Sequence, residues 1–144
     1  MNEYIIRKLN NYDFNKNYIN LLIQLTNVGN IQYSQFEKQL NIINSNPYHY
    51  IYVIEKNNKI ICSGTLLIEP KFIHETSYVG HIEDIVVDNK YSGQGYGKII
   101  VNYLIDLAKN NKCYKVILNC SPELKDFYSK FNMFNKNIEM SLYL

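Results

Sequence analysis

The sequence predicts a single α+β domain built on a mixed β-sheet flanked by helices. Three observations lead there. Strand-like segments crowd the middle of the chain, between Tyr48 and Val87, without the strand–helix alternation of a doubly wound fold. Amphipathic helical stripes lie on either side of that cluster. The 144 residues contain no internal repeat and no Pro/Gly/Ser-rich linker, so residues 1–144 form one domain.

Taken in order, Tyr4–Lys8 reads as a short strand. Asp13 is a candidate N-cap for a helix with Ile19, Leu22, Ile23 and Leu25 on one face. Ser34-Gln35-Phe36-Glu37 has the spacing of a capping box, and Phe36, Leu40 and Ile43 follow at helical intervals until Pro47. Tyr48–Glu55 and Ile60–Glu69 read as two strands of a hairpin joined by Lys56-Asn57-Asn58-Lys59. His81–Val87 is the next strand. Lys98–Lys109 is a helix with Ile100, Val101, Leu104, Leu107 and Ala108 inward, and Cys113–Asn119 is a strand. Ser121-Pro122 is an N-cap followed by a first-turn proline, opening a helix with the stripe Leu124, Phe127, Tyr128, Phe131. Ile138–Leu144 is a last strand.

Charge and composition exclude several classes of function. The formal net charge is +2 and the lysines are scattered, so no basic stripe marks a nucleic-acid groove. Arg7 is the only arginine, which leaves little bidentate phosphate recognition. Cys62, Cys113 and Cys120 have no metal-ligand spacing, and no metal is expected. The N-terminus MNEYIIRKLN is no signal peptide, and no run approaches a membrane span. A reduced, cytoplasmic setting with no membrane partner is the expectation.

The most distinctive stretch is SGQGYGK, Ser92 to Lys98. A dinucleotide fingerprint fails here because Lys98 stands where the third glycine belongs. A P-loop fails because Ser92 and Ile99 occupy motif positions. What remains is a glycine-rich turn leading into a long helix, whose outward amides and positive helix end favour an anion.

The segment HIEDIVVDNKYSGQGYGKIIVNYLIDLA resembles the acetyl-CoA-binding motif of the GNAT superfamily of N-acetyltransferases. LTNVG, EPKFIHE, GHIEDIVV, CYKVILNC and FYSKF occur in the order and spacing of family members that acetylate glucosamine 6-phosphate, and the similarity covers nearly the whole chain. The resemblance implies a GNAT fold, a homodimer, acetyl-CoA as co-substrate and a sugar phosphate as acceptor, on the way to UDP-N-acetylglucosamine. It implies that Ser92, Gly93, Gln94, Gly95, Tyr96, Gly97 and Lys98 wrap the pyrophosphate. Ile85, Val86 and Val87 would hold the rest of the donor, with a strand bulge at Val86 and Val87. Ser92 departs from the usual Gln or Arg.

The same resemblance places Thr26, Lys71, Phe72, Ile73 and His74 against the sugar phosphate, and Glu83, Asp84 and Ile85 along the sugar. Tyr128 would protonate the departing thiolate, Asn119 would receive the amine on its backbone carbonyl, and Glu83 is a candidate base acting through water. Adjacency on a strand sends the Glu83 and Asp84 side chains to opposite faces. Tyr143 stands where relatives tend to have an arginine, so either phosphate affinity is lower or Lys112 or Lys136 compensates. Two alternatives stay open: a GNAT enzyme for another amine (protein, polyamine or aminoglycoside), and a non-catalytic acyl-CoA-binding module. KFIH and HIED favour the phosphosugar, and Tyr128 argues against a mere binder.

Overall fold

The sheet grows from one long hairpin. His49–Lys56 (β2) and Lys59–Pro70 (β3) pair antiparallel, and the turn between them holds Asn57 and Asn58 at φ of 50° and 60°. Asparagine tolerates this left-handed geometry, which a tight hairpin requires. Ile5–Lys8 (β1) adds antiparallel to β2, and Tyr78–Val87 (β4) antiparallel to β3. Cys113–Ile117 (β5) joins parallel to β4, giving the order β1-β2-β3-β4-β5. The protein is seen in a computed structural model that describes residues 3–144.

Helices cover both faces. Tyr96–Asn110 (α4) lays Ile100, Val101, Leu104 and Ala108 on Ile54, Ile61, Leu66, Ile68 and Ile82. Tyr18–Ile23 (α1) and Tyr33–Ser45 (α2) cover the other face, where Tyr18, Leu21, Phe36 and Leu40 meet Val53, Ile60 and Val86. β3 therefore runs as an unbroken buried stretch from Ile60 to Leu66. Such double burial suits a continuous apolar strand better than a strictly alternating one. Ile73–Thr76 (α3) is a single turn and Lys125–Ser129 (α5) a short helix. Among the described residues no helix is long and apolar enough to cross a membrane.

Several local expectations are corrected. Asp13 does not cap α1. It is the third residue of a 3₁₀ turn, Asn11–Asn15, which Asn10 caps, and it is fully buried against Arg7. That earlier turn shifts the first helix, so Tyr18 and Leu21 are buried while Ile23 and Leu25 are exposed. The capping box of α2 is Gln32 with Gln35, two residues before the Ser34–Glu37 pair. β5 ends at Ile117. Ile138–Leu144 is not a strand: it has no strand pairing, and Ile138, Met140, Leu142 and Tyr143 are exposed. An alternating pattern forms a strand only when it pairs, and the tail pairs with no strand among the described residues.

Candidate active site

A single glycine opposite a bulge opens the site. Thr65 pairs with Glu83 and Ser63 with Val86, so Gly64 alone faces both Asp84 and Ile85. A Cβ on Gly64 would lie 2.6 Å from Ile85 Cδ1 and 2.9 Å from Leu104 Cδ1. Any larger residue there would have to push the Ile85 and Leu104 side-chain tips aside in the α4-side core. Asp84 takes the strained position at φ 52°. The bulge is thus at Asp84–Ile85. Val86 and Val87, where it was expected, pair regularly with Ser63 and Cys62.

On its other edge β4 pairs with β5 only from Tyr78 to His81. From Ile82 to Val87 the strand has no β5 partner, so its backbone borders a wedge between the two strands. The bulge also overturns the opposite-face reading of Glu83 and Asp84. Ile82 and Ile85 both pack against the α4-side core and Val86 against the other. The two carboxylates fall together between them, and both are exposed. Burial, reinforced by the Asp84 charge, holds the Glu83 carboxyl above the usual carboxylate range, with His81 opposing. A carboxylate so tuned binds a proton more readily at neutral pH, as a base needs.

The glycine loop lies just past the same end of β4. Gly93 and Gly95 have φ of 73° and 89°, and a Cβ on either would meet nothing within 4 Å. Their role is conformational, with open space beside them. Gly97 differs: a Cβ there would lie 3.3 Å from Phe127 Cζ, so this glycine admits α5 against the first turn of α4. Among the described residues the amides of Gly93, Gly95, Tyr96, Gly97 and Lys98 have no hydrogen-bond partner. No side chain caps α4. This cradle fits a diphosphate, because unpaired donors and the helix dipole point the same way. Ser92, Gln94 and Lys98 are exposed along it.

Tyr128 on α5 is buried in the α4-side core beside Phe127 and Phe131. Burial first, and Cys120 second, raise its phenol above the ordinary value. Its hydroxyl has no hydrogen-bond partner among the described residues. A protonated, unengaged phenol suits a proton donor. Asn119 is exposed just beyond the end of β5. Burial pushes the Cys62 thiol up to about 12 and raises Cys113 as well, which makes poor nucleophiles of both.

The remaining acceptor residues are split. Thr26 is exposed two residues past Gln24, whose side-chain oxygen accepts the Asn89 N–H at 2.8 Å, so it sits at the loop end of β4. Lys71, Phe72, Ile73 and His74 lie at the other end. The Lys71 N–H bonds to the Ser77 carbonyl at 2.8 Å. Ser77 to Glu83 is roughly 20 Å of strand at about 3.3 Å per residue. Along the backbone KFIH and Glu83 stand at opposite ends of β4, with Glu69 and His81, 3.8 Å apart, between them. His74 stacks on Tyr114 of β5 with centroids 4.1 Å apart, and Lys71 is ion-paired with Glu69. His74, Glu75 and Thr76 all have left-handed φ, 50° to 60°, and Phe72 is 96% exposed at the tip.

Sequence reasoning missed Gly64, although a lone glycine in a strand pattern signals a bulge or a close approach. It also missed Tyr18. Burial pushes that phenol up to about 12, with a Ser63 hydrogen bond opposing and the Asp84 charge adding. Only the fold brings these three residues together.

Comparison with known proteins agrees with this geometry. Residues 17–133 match the family described as "Acetyltransferase (GNAT) family". The glucosamine 6-phosphate N-acetyltransferase of Arabidopsis thaliana is 45% identical over 96% of this chain and 95% of its own length. The one from Candida albicans is 39% identical over 95% and 93%. A crystal structure of the Arabidopsis thaliana enzyme superposes with a TM-score of 0.95 at 44% identity, covering 98% of each chain.

Proposed function

The chain belongs to the acetyltransferase (GNAT) family, and from that premise we propose that it acetylates the amine of glucosamine 6-phosphate. The observation that carries the reading is a convergence at one end of β4. The unpaired strand edge, the Gly93–Lys98 amides and the Glu83 and Asp84 carboxylates lie there, Phe127 beside Tyr128 packs on Gly97 of the loop, and the chain is 45% identical to an enzyme of that name.

Acetyl-CoA supplies the activated acetyl group. The Gly93–Lys98 amides and the α4 N-terminus hold its diphosphate, and the free edge at Ile85, Val86 and Val87 holds the rest by backbone hydrogen bonds. Glu83 accepts the amine proton through water, and the Asn119 carbonyl orients the amine. Tyr128 keeps its proton at neutral pH because burial disfavours the phenolate, and gives it to the departing sulfur. Cys62 and Cys113 are poor nucleophiles, and Cys120 has no hydrogen-bonded base among the described residues, so we read the transfer as direct. The product would feed UDP-N-acetylglucosamine synthesis.

We also propose that the working form is a homodimer in the cytoplasm. Two features support it. KFIH and Glu83 are separated along the backbone of β4, and a second copy would complete the phosphosugar site between them. The extended tail exposes Ile138, Met140 and Leu142, and β5 is an edge strand able to accept it.

A thiol-release assay with acetyl-CoA tests the acceptor. Glucosamine 6-phosphate is compared with glucosamine, a polyamine, an aminoglycoside and a peptide N-terminus. Strong preference for glucosamine 6-phosphate is expected. A better rate with any other amine overturns the acceptor, and binding of acetyl-CoA without turnover on any amine indicates a binding module.

A further inference from the structure

The hairpin end of β2 places a lysine where electrostatics alone would forbid it. Lys56 is 8% exposed. Its Nζ donates to the Tyr96 hydroxyl at 2.9 Å and lies 5.6 Å and 5.4 Å from the ring centroids of Tyr91 and Tyr96. No carboxylate among the described residues pairs with it. The adjacent Glu55 is on the opposite face, held by Arg7 and Lys16. Tyr96 is the first residue of α4, so Lys56 sits at the positive end of that helix. A buried cation there, with no anion of the protein's own, is doubly unfavourable.

Tyr91 and Tyr96 also bracket the glycine loop: Tyr91 ends the 3₁₀ turn Asn89–Tyr91, and Tyr96 follows Gly95. Their rings meet edge to face at 6.0 Å. Lys56 therefore ties together the two sides of the loop while adding positive charge beneath it. An anion seated on the loop removes the electrostatic penalty.

We propose that Lys56 is a positioning residue for the donor's diphosphate: it clamps Tyr91 to Tyr96 and biases the loop toward anion binding. This rests on the reading of the loop as the acetyl-CoA cradle. Without a ligand the lysine is a local liability, and with one it becomes part of the binding energy. The cation acts through the loop and its field, with the tyrosine rings between it and the open side.

The test uses Lys56→Met and Tyr96→Phe, with Gly95→Val in parallel. Calorimetric titrations compare acetyl-CoA with S-acetylpantetheine, which shares the thioester arm and lacks the diphosphate. Lys56→Met is expected to weaken acetyl-CoA about tenfold, as loss of a charge-assisted contribution does. It should flatten the salt dependence of binding. S-acetylpantetheine affinity and kcat at saturating donor should hold, and the melting temperature of the ligand-free protein should hold or rise because an uncompensated charge is gone. Tyr96→Phe, which keeps the ring, should give a smaller change in the same direction. Unchanged acetyl-CoA affinity in Lys56→Met overturns the proposal, as does equal weakening of both ligands. A fall in melting temperature together with kcat also overturns it, since that marks a purely structural lysine. If Gly95→Val also leaves acetyl-CoA affinity unchanged, the cradle reading itself has failed. If Gly95→Val weakens binding and Lys56→Met does not, the cradle stands and only the lysine's role falls.

Discussion

The two ends of this sheet treat charge in opposite ways. At the β1–β2 end, Arg7 bonds to both oxygens of the fully buried Asp13 at 2.8 Å and 2.6 Å and to Glu55 at 2.5 Å. Lys16 completes the set on Glu55 at 2.7 Å. Each charge there has a partner inside the protein. At the loop end of β4, Glu83 and Asp84 share a bulge, a run of amides has no acceptor, and Tyr128 has no partner. Satisfied groups hold a structure together, and unsatisfied ones are available to a substrate. The same contrast explains why the only arginine contributes nothing to phosphate binding: it is consumed by the scaffold.

The largest effect expected from breaking this contrast is on stability. Arg7→Leu strands the Asp13 carboxylate in the core, and removing one member of a buried pair typically costs about 3–5 kcal/mol. The midpoint of urea unfolding should drop accordingly. A loss under about 1 kcal/mol would mean that the network is a spectator. At the other end, Tyr128→Phe should lower kcat by roughly 10²–10⁴ with the melting temperature nearly unchanged. Its ring stays packed on Phe127 and Phe131, and only the unengaged hydroxyl is lost. Wild-type turnover in this variant would return Tyr128 to the core.

A smaller effect sharpens the division within β4. Lys71→Ala should weaken glucosamine 6-phosphate about ten- to hundredfold while barely changing the poor rate with glucosamine, since a lost bond to a charged group costs roughly 1.5–3 kcal/mol. Mixing this variant with Tyr128→Phe tests whether KFIH serves the partner's Glu83. Random exchange leaves about a quarter of the sites intact if each site draws on both subunits of a twofold dimer. The same intact share arises if each site is confined to one chain only when subunits carry both residues, and no subunit in the mixture does. Recovery of activity on mixing therefore requires a shared site, and no recovery confines each site to one subunit.

Much of this was legible in the sequence because it is local. The hairpin Asn57-Asn58 and the α4 stripe are set by period and turn chemistry and appear where expected, whereas the Tyr128 stripe is only partly so: Lys125–Ser129 is a short helix, and Leu124 before it is exposed. The glycine loop was legible as an anion cradle, although the distinct packing role of Gly97 depends on Phe127, thirty positions away. Pairing could not be read. The bulge moved from Val86–Val87 to Asp84–Ile85 because it is set by Gly64 across the sheet. Asp13 looked like a cap and proved to be a buried counterion because Arg7 reaches it from β1, held in turn by Glu55 of β2. The Ile138–Leu144 alternation is a local pattern, and it does not specify the edge pairing that a strand needs.

The smallest effect gives the comparison its sign. Glu55 has a carboxyl held below its ordinary value, chiefly by Lys16 and Arg7, whereas burial and Asp84 hold Glu83 above its own. A lowered folded-state pKa gives stability that is present above the unfolded value and lost as pH falls through the folded one. Glu55→Gln should therefore destabilise the protein at pH 7, and the difference from wild type should shrink in acid. A raised pKa works the other way: ionised Glu83 costs stability above its unfolded pKa. Glu83→Gln should be as stable as wild type or slightly more so at pH 7, with the gain vanishing in acid. In kinetics, the Glu83 ionisation should appear as an acid limb in kcat/KM with a midpoint above that of an ordinary glutamate, and Glu83→Gln should lose that limb along with rate. Paired melting curves from pH 4 to pH 8 measure both variants at once. If both lose stability at pH 7, Glu83 is held by a partner like Glu55, and the loop end of β4 is scaffold like the other end.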